Sequence, residues 1–241
     1  MSEAEASAPF TPEERKKLAS TFEPPDTKDA GRLDLAASRS NATQSLEKIR
    51  GLSGYGKIRV EDIQAIRSYT ANGYVGINGA MRGLQVDPGT DLAERQRLAA
   101  RATQQAISKL PKYEGELRRD TRLGKAEIER DFQVGNTVSF KGLTSASADM
   151  SGDSAGAYGS QESFSKASFY GDKAARNGIR TSDSGKSERV EFRIQAKSGR
   201  DISPFSTRAH EKEILLPHGW QGKVSKVESV QGRTVIYMEE A

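Results

Sequence analysis

Three short segments carry the side chains best suited to chemistry: GELRRDTRL at 115–123, FKGLTSAS at 140–147 and HEKEILLP at 210–217. Taken singly, an arginine pair, two hydroxyls and two carboxylates are ordinary surface features. The spacing in the third segment says more. In a strand, alternation sends Glu211 and Glu213 to one face and Lys212 to the other, while Ile214, Leu215 and Leu216 anchor the chain beyond them. Two carboxylates addressing one site oppose each other's ionisation. A fold keeps them together where a substrate hydroxyl or a cationic acceptor offsets the repulsion, and a guanidinium acceptor would serve well.

Composition narrows the chemistry further. The chain has 241 residues, 34% of them hydrophobic and 29% charged, with a formal net charge of +4. No apolar run approaches the roughly 18 residues that span a bilayer, so no membrane partner is expected. Basic and acidic residues are interleaved along most of the chain, so the positive balance is weak evidence for nucleic acid, and none is expected as a partner. There is no cysteine, which excludes disulfides, thiolate zinc sites and cysteine nucleophiles. His210 and His218 are the only histidines, too few for a zinc site without cysteine, and no metal is expected. The opening MSEAEASAPFTPEERKK lacks the apolar stretch of a cleavable signal peptide.

The elements that must position these groups follow from periodicity. Residues 1–43 carry few large apolar side chains and are expected to form a mostly disordered arm whose removal, up to residue 40, leaves the melting temperature and any catalysis nearly unchanged. Val60, Ile63 and Ile66, then Ile77, Ala80, Met81 and Leu84, mark two short amphipathic helices separated at Gly73. A longer helix runs from Asp91 to Leu110 and ends at Pro111. Beyond it the period shortens to two. Thr137–Phe140, the alternating Val190, Phe192, Ile194 and Ala196, Ile214–Leu216, Lys223–Val230 and Arg233–Met238 read as strands, the last two joined at Gln231-Gly232. Residues 148–163, rich in Ser, Gly, Ala and Asp, read as a loop, and Trp220 as a packing anchor between strands. Helices followed by strands give an α+β domain over 44–241. There is no GxGxxG at a strand–helix junction and no Walker loop, so a nucleotide would not be held in the Rossmann manner.

The order Arg, Ser-x-Ser, Glu-x-Glu resembles the R-S-E clade of mono-ADP-ribosyltransferases, which includes bacterial binary-toxin enzyme components and arginine-modifying effectors. AIRSYTANGYVGINGAMRG at 65–83 is similar to the aromatic-rich helix that precedes the arginine strand in that family. The resemblance covers about residues 44–240. It implies the ADP-ribosyltransferase fold, with N-terminal helices packed on a split, antiparallel-rich β core. It also implies cleavage of NAD, the co-substrate, at the nicotinamide–ribose bond and transfer of ADP-ribose to a protein arginine.

Carried over by position, the catalytic arginine falls on Arg119, four residues after Gly115, as in members reading Gly-x-x-Tyr-Arg-Gly; a one-residue shift would place it on Arg118. Asp120 stands where a glycine is usual, Leu143 where a phenylalanine is, and Ala146 where the middle threonine is. The resemblance makes Arg119, Ser145, Glu211 and Glu213 the catalytic set. It adds Tyr69, Tyr74, Asn78, Arg82, Arg118 and Ser147 as NAD contacts, and Phe205, in a mobile loop over 201–210, as an aromatic substrate contact beside Glu211. Glu213 would stabilise the oxocarbenium-like ribose, Arg119 would grip phosphate oxygens, Ser145 would orient Glu213, and Glu211 would deprotonate the acceptor.

A toxin or injected effector of this kind would be secreted without a cleavable signal and act on a host protein in the host cytoplasm, its arm serving secretion or a chaperone. Two other classes stand beside this reading: an NAD glycohydrolase using water as acceptor, and a non-catalytic or nucleic-acid-binding interaction domain with a degenerate pocket. Retention of all four reacting groups argues against the last.

Overall fold

The computed structural model describes residues 1–22, 37–84, 89–150, 187–206 and 209–241. They fall into two compact units, one of residues 1–111 with 202–209, the other of 112–201 with 210–241.

The first unit is helical: α1 (Glu3–Ser7), α2 (Pro12–Phe22), α3 (Arg39–Ile49), α4 (Val60–Ser68), α5 (Tyr74–Arg82) and α6 (Asp91–Ser108). Ser2, Ser38 and Thr90 cap α1, α3 and α6, each accepting from a backbone amide of its helix's first turn. α6 is the spine. Its buried Leu98, Ala99, Ala100, Ala106 and Ile107 meet α4 and α5, with α1 and α2 also packed against it.

This corrects the expected arm. Within residues 1–43, Glu3–Ser7, Pro12–Phe22 and residues 39–43 are helical, and Ala6, Leu18 and Phe22 are buried. The reason is a partner that composition does not show. The Arg101 guanidinium, almost fully buried, sits 2.6 Å from Glu14, donates to the Ala8 carbonyl at 3.0 Å and lies 4.5 Å above the Phe10 ring. A buried guanidinium demands such acceptors, and α1 and α2 bring them.

Residues Tyr69–Gly73 form a π-helical turn, so α4 runs through Gly73 into α5 without the break that periodicity suggests. The wider turn has a consequence for the aromatic side chains. Residues five apart on an α-helix lie about 140° apart around the axis, whereas a π turn closes most of that angle. Tyr69 and Tyr74 therefore meet, edge to face, with ring centroids 6.3 Å apart.

The second unit is β-rich: β1 (Lys112–Gly124), α7 (Lys125–Asp131), β2 (Thr137–Phe140), β3 (Thr144–Ser147), β4 (Ser187–Asp201), a 3₁₀ turn (Ala209–Glu211, whose first residue belongs to the helical unit), β5 (Glu213–Leu216), β6 (Trp220–Val230) and β7 (Arg233–Glu240). The sheet order is β1-β3-β5-β4-β7-β6-β2, and β1 pairs with β4 as well, so β1, β3, β5 and β4 close into a ring. Only β4 and β7 run parallel among the described pairs. Leu117, Phe192, Ile194, Ile214, Ile236 and Met238 point to one side and form the core with Ile128 of α7, with Phe132 that follows it and with Trp220, whose ring lies 5.5 Å from that of Phe140. Gln231 and Gly232, both at positive φ, make the two-residue turn that joins β6 and β7. Most of the expected 148–163 loop lies outside the described residues.

Two outcomes follow. Deleting residues 1–22 strips Leu18 and Phe22 from α6, at roughly 1.5–3 kcal/mol each, so the melting temperature falls by roughly 10 °C; calorimetry of the truncated chain checks this, and an unchanged transition would detach the segment from the fold. Gly73→Ala gains up to about 1 kcal/mol in helix propensity. However, its Cβ would stand 2.6 Å from the Ser68 carbonyl oxygen, so net destabilisation is expected in chemical denaturation.

Candidate active site

β-Sheet register decides which of the expected residues share a place. Arg118 on β1 is directly opposite Ser147 on β3, and Ser147 is directly opposite Glu213 on β5. Residues paired in this way project from the same face. A guanidinium, a hydroxyl and a carboxylate thus stand in one row across three adjacent strands of the β unit. All three side chains are buried.

Arg119, expected as the catalytic arginine, is outside that row. Alternation turns it to the face of Leu117 and Thr121, where its guanidinium donates to the Ser145 carbonyl at 2.6 Å and ties β1 to β3. Ser145 lies opposite Leu215, two pairs along from the row, with its side chain on the same face as that of Ser147.

Glu211 departs further from expectation. It belongs to the 3₁₀ turn, and Lys212, at φ 45°, takes the left-handed conformation before β5 begins at Glu213. The two glutamates are therefore not alternate residues of one strand, and the same-face argument does not hold for them. Ser147 secures the turn instead: its hydroxyl donates to the Glu211 carbonyl at 2.9 Å and accepts from the Asp149 amide at 3.0 Å. The turn leaves Glu211 half-buried next to a buried Glu213.

The row continues into a charge cluster that sequence reading missed. Arg118 lies 3.2 Å from both Asp120 and Glu191, and the Glu191 side chain is 0% exposed. Arg233 reaches Glu191 at 2.8 Å, and Arg193 forms a close ion pair with it. Burial pushes the Asp120 carboxyl above its ordinary value, outweighing the pull of the Arg118 guanidinium. Glu191 sits between Val190 and Phe192, where alternation alone marks a solvent-facing position. The signal that could have found it is the register pairing Asp120 with Glu191 and Arg118 with Arg193.

In the helical unit, the expected aromatic cluster is assembled: Asn78 Nδ2 lies 3.5 Å from the Tyr69 hydroxyl, and Tyr69 meets Tyr74 across the π turn. Arg82 ends α5 just before Gly83, which closes the helix at φ 71°. Phe205, expected as an aromatic substrate contact, lies in the interior of the helical unit. It is 0% exposed, packed at 6.0 Å against Tyr55, with its carbonyl accepting from Arg67 at 3.2 Å. Its burial and that of Ile202 pin residues 202–206, which were expected to belong to a mobile loop. Among the described residues no group of three His, Asp or Glu side chains is gathered as a metal site, and no helix is long and apolar enough to cross a membrane.

Comparison with known proteins gives this arrangement a context. A protein of Mycobacterium avium named as an NAD(+)–arginine ADP-ribosyltransferase, Mav, is 30% identical over 182 residues, 75% of this chain; the chain spans only 18% of that relative's length. Among solved structures, the type III effector XopAI of Xanthomonas axonopodis pv. citri superposes with a TM-score of 0.65 at 16% identity, covering 99% of this chain and 92% of that one. The Vis toxin, an ADP-ribosyltransferase of Vibrio splendidus, gives 0.58 at 19% identity, covering 98% and 89%. At such identities these two likenesses show a shared α+β fold. The sequence profile of the ADP-ribosyltransferase exoenzymes matches residues 42–241, and by that match the chain belongs to the ADP-ribosyltransferase exoenzyme family.

Proposed function

We propose that this domain is an NAD-dependent protein-arginine mono-ADP-ribosyltransferase, and that Arg118 rather than Arg119 is its catalytic arginine. The observation that carries the assignment is the row Arg118–Ser147–Glu213 across β1, β3 and β5. Transfer of ADP-ribose needs a cation to hold phosphate oxygens and a carboxylate to steady an oxocarbenium-like ribose, both in fixed relation. Three neighbouring strands in register supply that relation, because inter-strand spacing is set by backbone hydrogen bonds at about 4.8 Å.

The roles follow from position. Glu213, buried at the head of β5, engages the ribose hydroxyl and stabilises the charge that develops as nicotinamide leaves. Arg118 grips the NAD phosphates through its planar fork. Ser145 and Ser147 line the same face, Ser147 holding the Glu211 turn and Ser145 orienting Glu213 and the ribose. Arg119 braces β1 against β3. Glu211, half-exposed on its turn, receives the acceptor guanidinium and its proton. For Tyr69, Tyr74, Asn78 and Arg82 we retain the NAD contacts that the family resemblance implies.

The arginine specificity is supported by the name of the mycobacterial relative, and the role as a bacterial toxin or effector acting on a host protein by the toxin and the type III effector that share the fold. Secretion and action in the host cytoplasm belong to the same proposal.

Variants separate the roles. Glu213→Ala loses about 4 kcal/mol of transition-state stabilisation, roughly a thousandfold in nicotinamide release, while its melting temperature stays near that of the wild type. Arg118→Lys, which removes the fork but keeps the charge, lowers kcat/KM at least tenfold; Arg119→Lys stays within a few-fold. The reverse ranking of the two lysine variants would return the catalytic role to Arg119.

Glu211→Gln keeps shape and hydrogen-bonding reach but not the charge that attracts a guanidinium. Protein labelling falls by roughly a hundredfold, the range of a positioned general base, while hydrolysis of NAD by water persists. Parallel loss of both activities would place Glu211 in NAD cleavage itself.

A further inference from the structure

We infer that Glu191 is a positioning residue for the reaction: it fixes the Arg118 guanidinium at the end of the Arg118–Ser147–Glu213 row. This rests on the reading of Arg118 given above. Glu191 touches neither Glu213 nor Ser147 in register; it lies on β4, diagonal to Arg118 and directly opposite Asp120. A carboxylate side chain with 0% exposure has given up its hydration, and cationic neighbours compensate for that loss. The environment is Arg118 at 3.2 Å, Arg233 at 2.8 Å and the close pair with Arg193.

The three arginines are not equivalent. Arg193 and Arg233 keep side-chain exposures of 25% and 24%, whereas Arg118 keeps 6%. Solvent shares the solvation of the first two, while the orientation of Arg118 depends much more on its carboxylates. Asp120, the other carboxylate beside it at 3.2 Å, keeps a side-chain exposure of 14% and shares its solvation with water, whereas Glu191 keeps none, so Asp120 is the weaker anchor. Glu191 is therefore the charge that decides where the Arg118 guanidinium points. An arginine flexes through four side-chain torsions, so a site that needs its fork aimed at phosphate gains by fixing it before the ligand arrives.

A merely structural role for Glu191 predicts something different. If Glu191 only stabilised the sheet, its loss would lower the folded fraction and hence the apparent kcat, leaving KM unchanged. A positioning role raises KM and the Kd for NAD, and does so only while Arg118 is present.

The test uses the full chain and three substitutions. Glu191→Gln is close in shape and retains an acceptor oxygen. It should raise the Kd for NAD about tenfold by calorimetry, with kcat for nicotinamide release changed less than threefold. In an Arg118→Gln background the same change should move Kd less than twofold. Glu191→Asp, which keeps the charge, carries the test at smaller amplitude if the glutamine variant fails to fold, with a Kd rise of about threefold. A readout without NAD runs alongside: in ¹⁵N spectra of the arginine side chains, the Arg118 guanidinium protons exchange slowly in the wild type and rapidly in Glu191→Gln. Unchanged Kd and unchanged exchange in a folded Glu191→Gln protein would overturn the inference, as would an equal Kd penalty in the two backgrounds. A wild-type protein that shows slow exchange but binds no NAD would sink the proposed function while leaving the tie between Glu191 and Arg118 in place.

Discussion

A carboxylate with no solvent contact has to be met by cations, and the β unit is arranged around that requirement at Glu191. Its partners come from three strands: Arg118 from β1, Arg193 from β4 itself and Arg233 from the start of β7. A slip of one residue in β1 against β4 would turn Arg118 to the other face, put Arg119 in its place and send Leu117 out of the core. Burial of Leu117, Phe192 and Ile194 on one face and charge compensation at Glu191 on the other therefore select the same register. Apolar packing supplies most of the stability. The ion cluster supplies the discrimination, since misregister would leave a buried charge unpaired.

That register is the part of the site that one-dimensional reading could not reach. Residue types and their order were legible: two arginines, Ser-x-Ser and Glu-x-Glu, each near the start or middle of a segment with a clear period. The strands Ile214–Leu216 and Arg233–Met238, the turn at Gln231-Gly232 and the long helix ending before Pro111 were also legible, because short-range periodicity and turn chemistry determine them. Choosing between adjacent arginines needs to know which one faces Ser147, and that depends on pairing between chain segments roughly 30 residues apart. Glu191 was invisible for the same reason: a charged residue in an alternating strand reads as solvated until its cross-strand neighbours are known.

The remaining departures have distinct physical causes. Residues 1–22 lack the composition of an independent folding segment, yet they fold, because α6 gives α1 and α2 something to pack against and carries a buried Arg101 that needs acceptors. Phe205 and Ile202 were read as part of a mobile loop, but both large apolar side chains are fully buried, which ties down residues 202–206. Gly73 was read as a helix break; the chain instead widens into a π turn, which keeps the helix running and brings Tyr69 and Tyr74 together. At Glu211, a left-handed Lys212 overrides the alternation that a strand would impose.

The proposed transfer of ADP-ribose from NAD to an arginine rests on membership of the exoenzyme family, on the row across β1, β3 and β5, and, for the arginine, on the name of the mycobacterial relative. The most direct measurement incubates the protein with labelled NAD and host-cell lysate, quantifies free nicotinamide and labelled protein together, and locates the adduct by mass spectrometry. The account predicts nicotinamide release matched by label on an arginine side chain of a host protein. Nicotinamide release with only free ADP-ribose as the second product, or no cleavage of NAD at all, would contradict it.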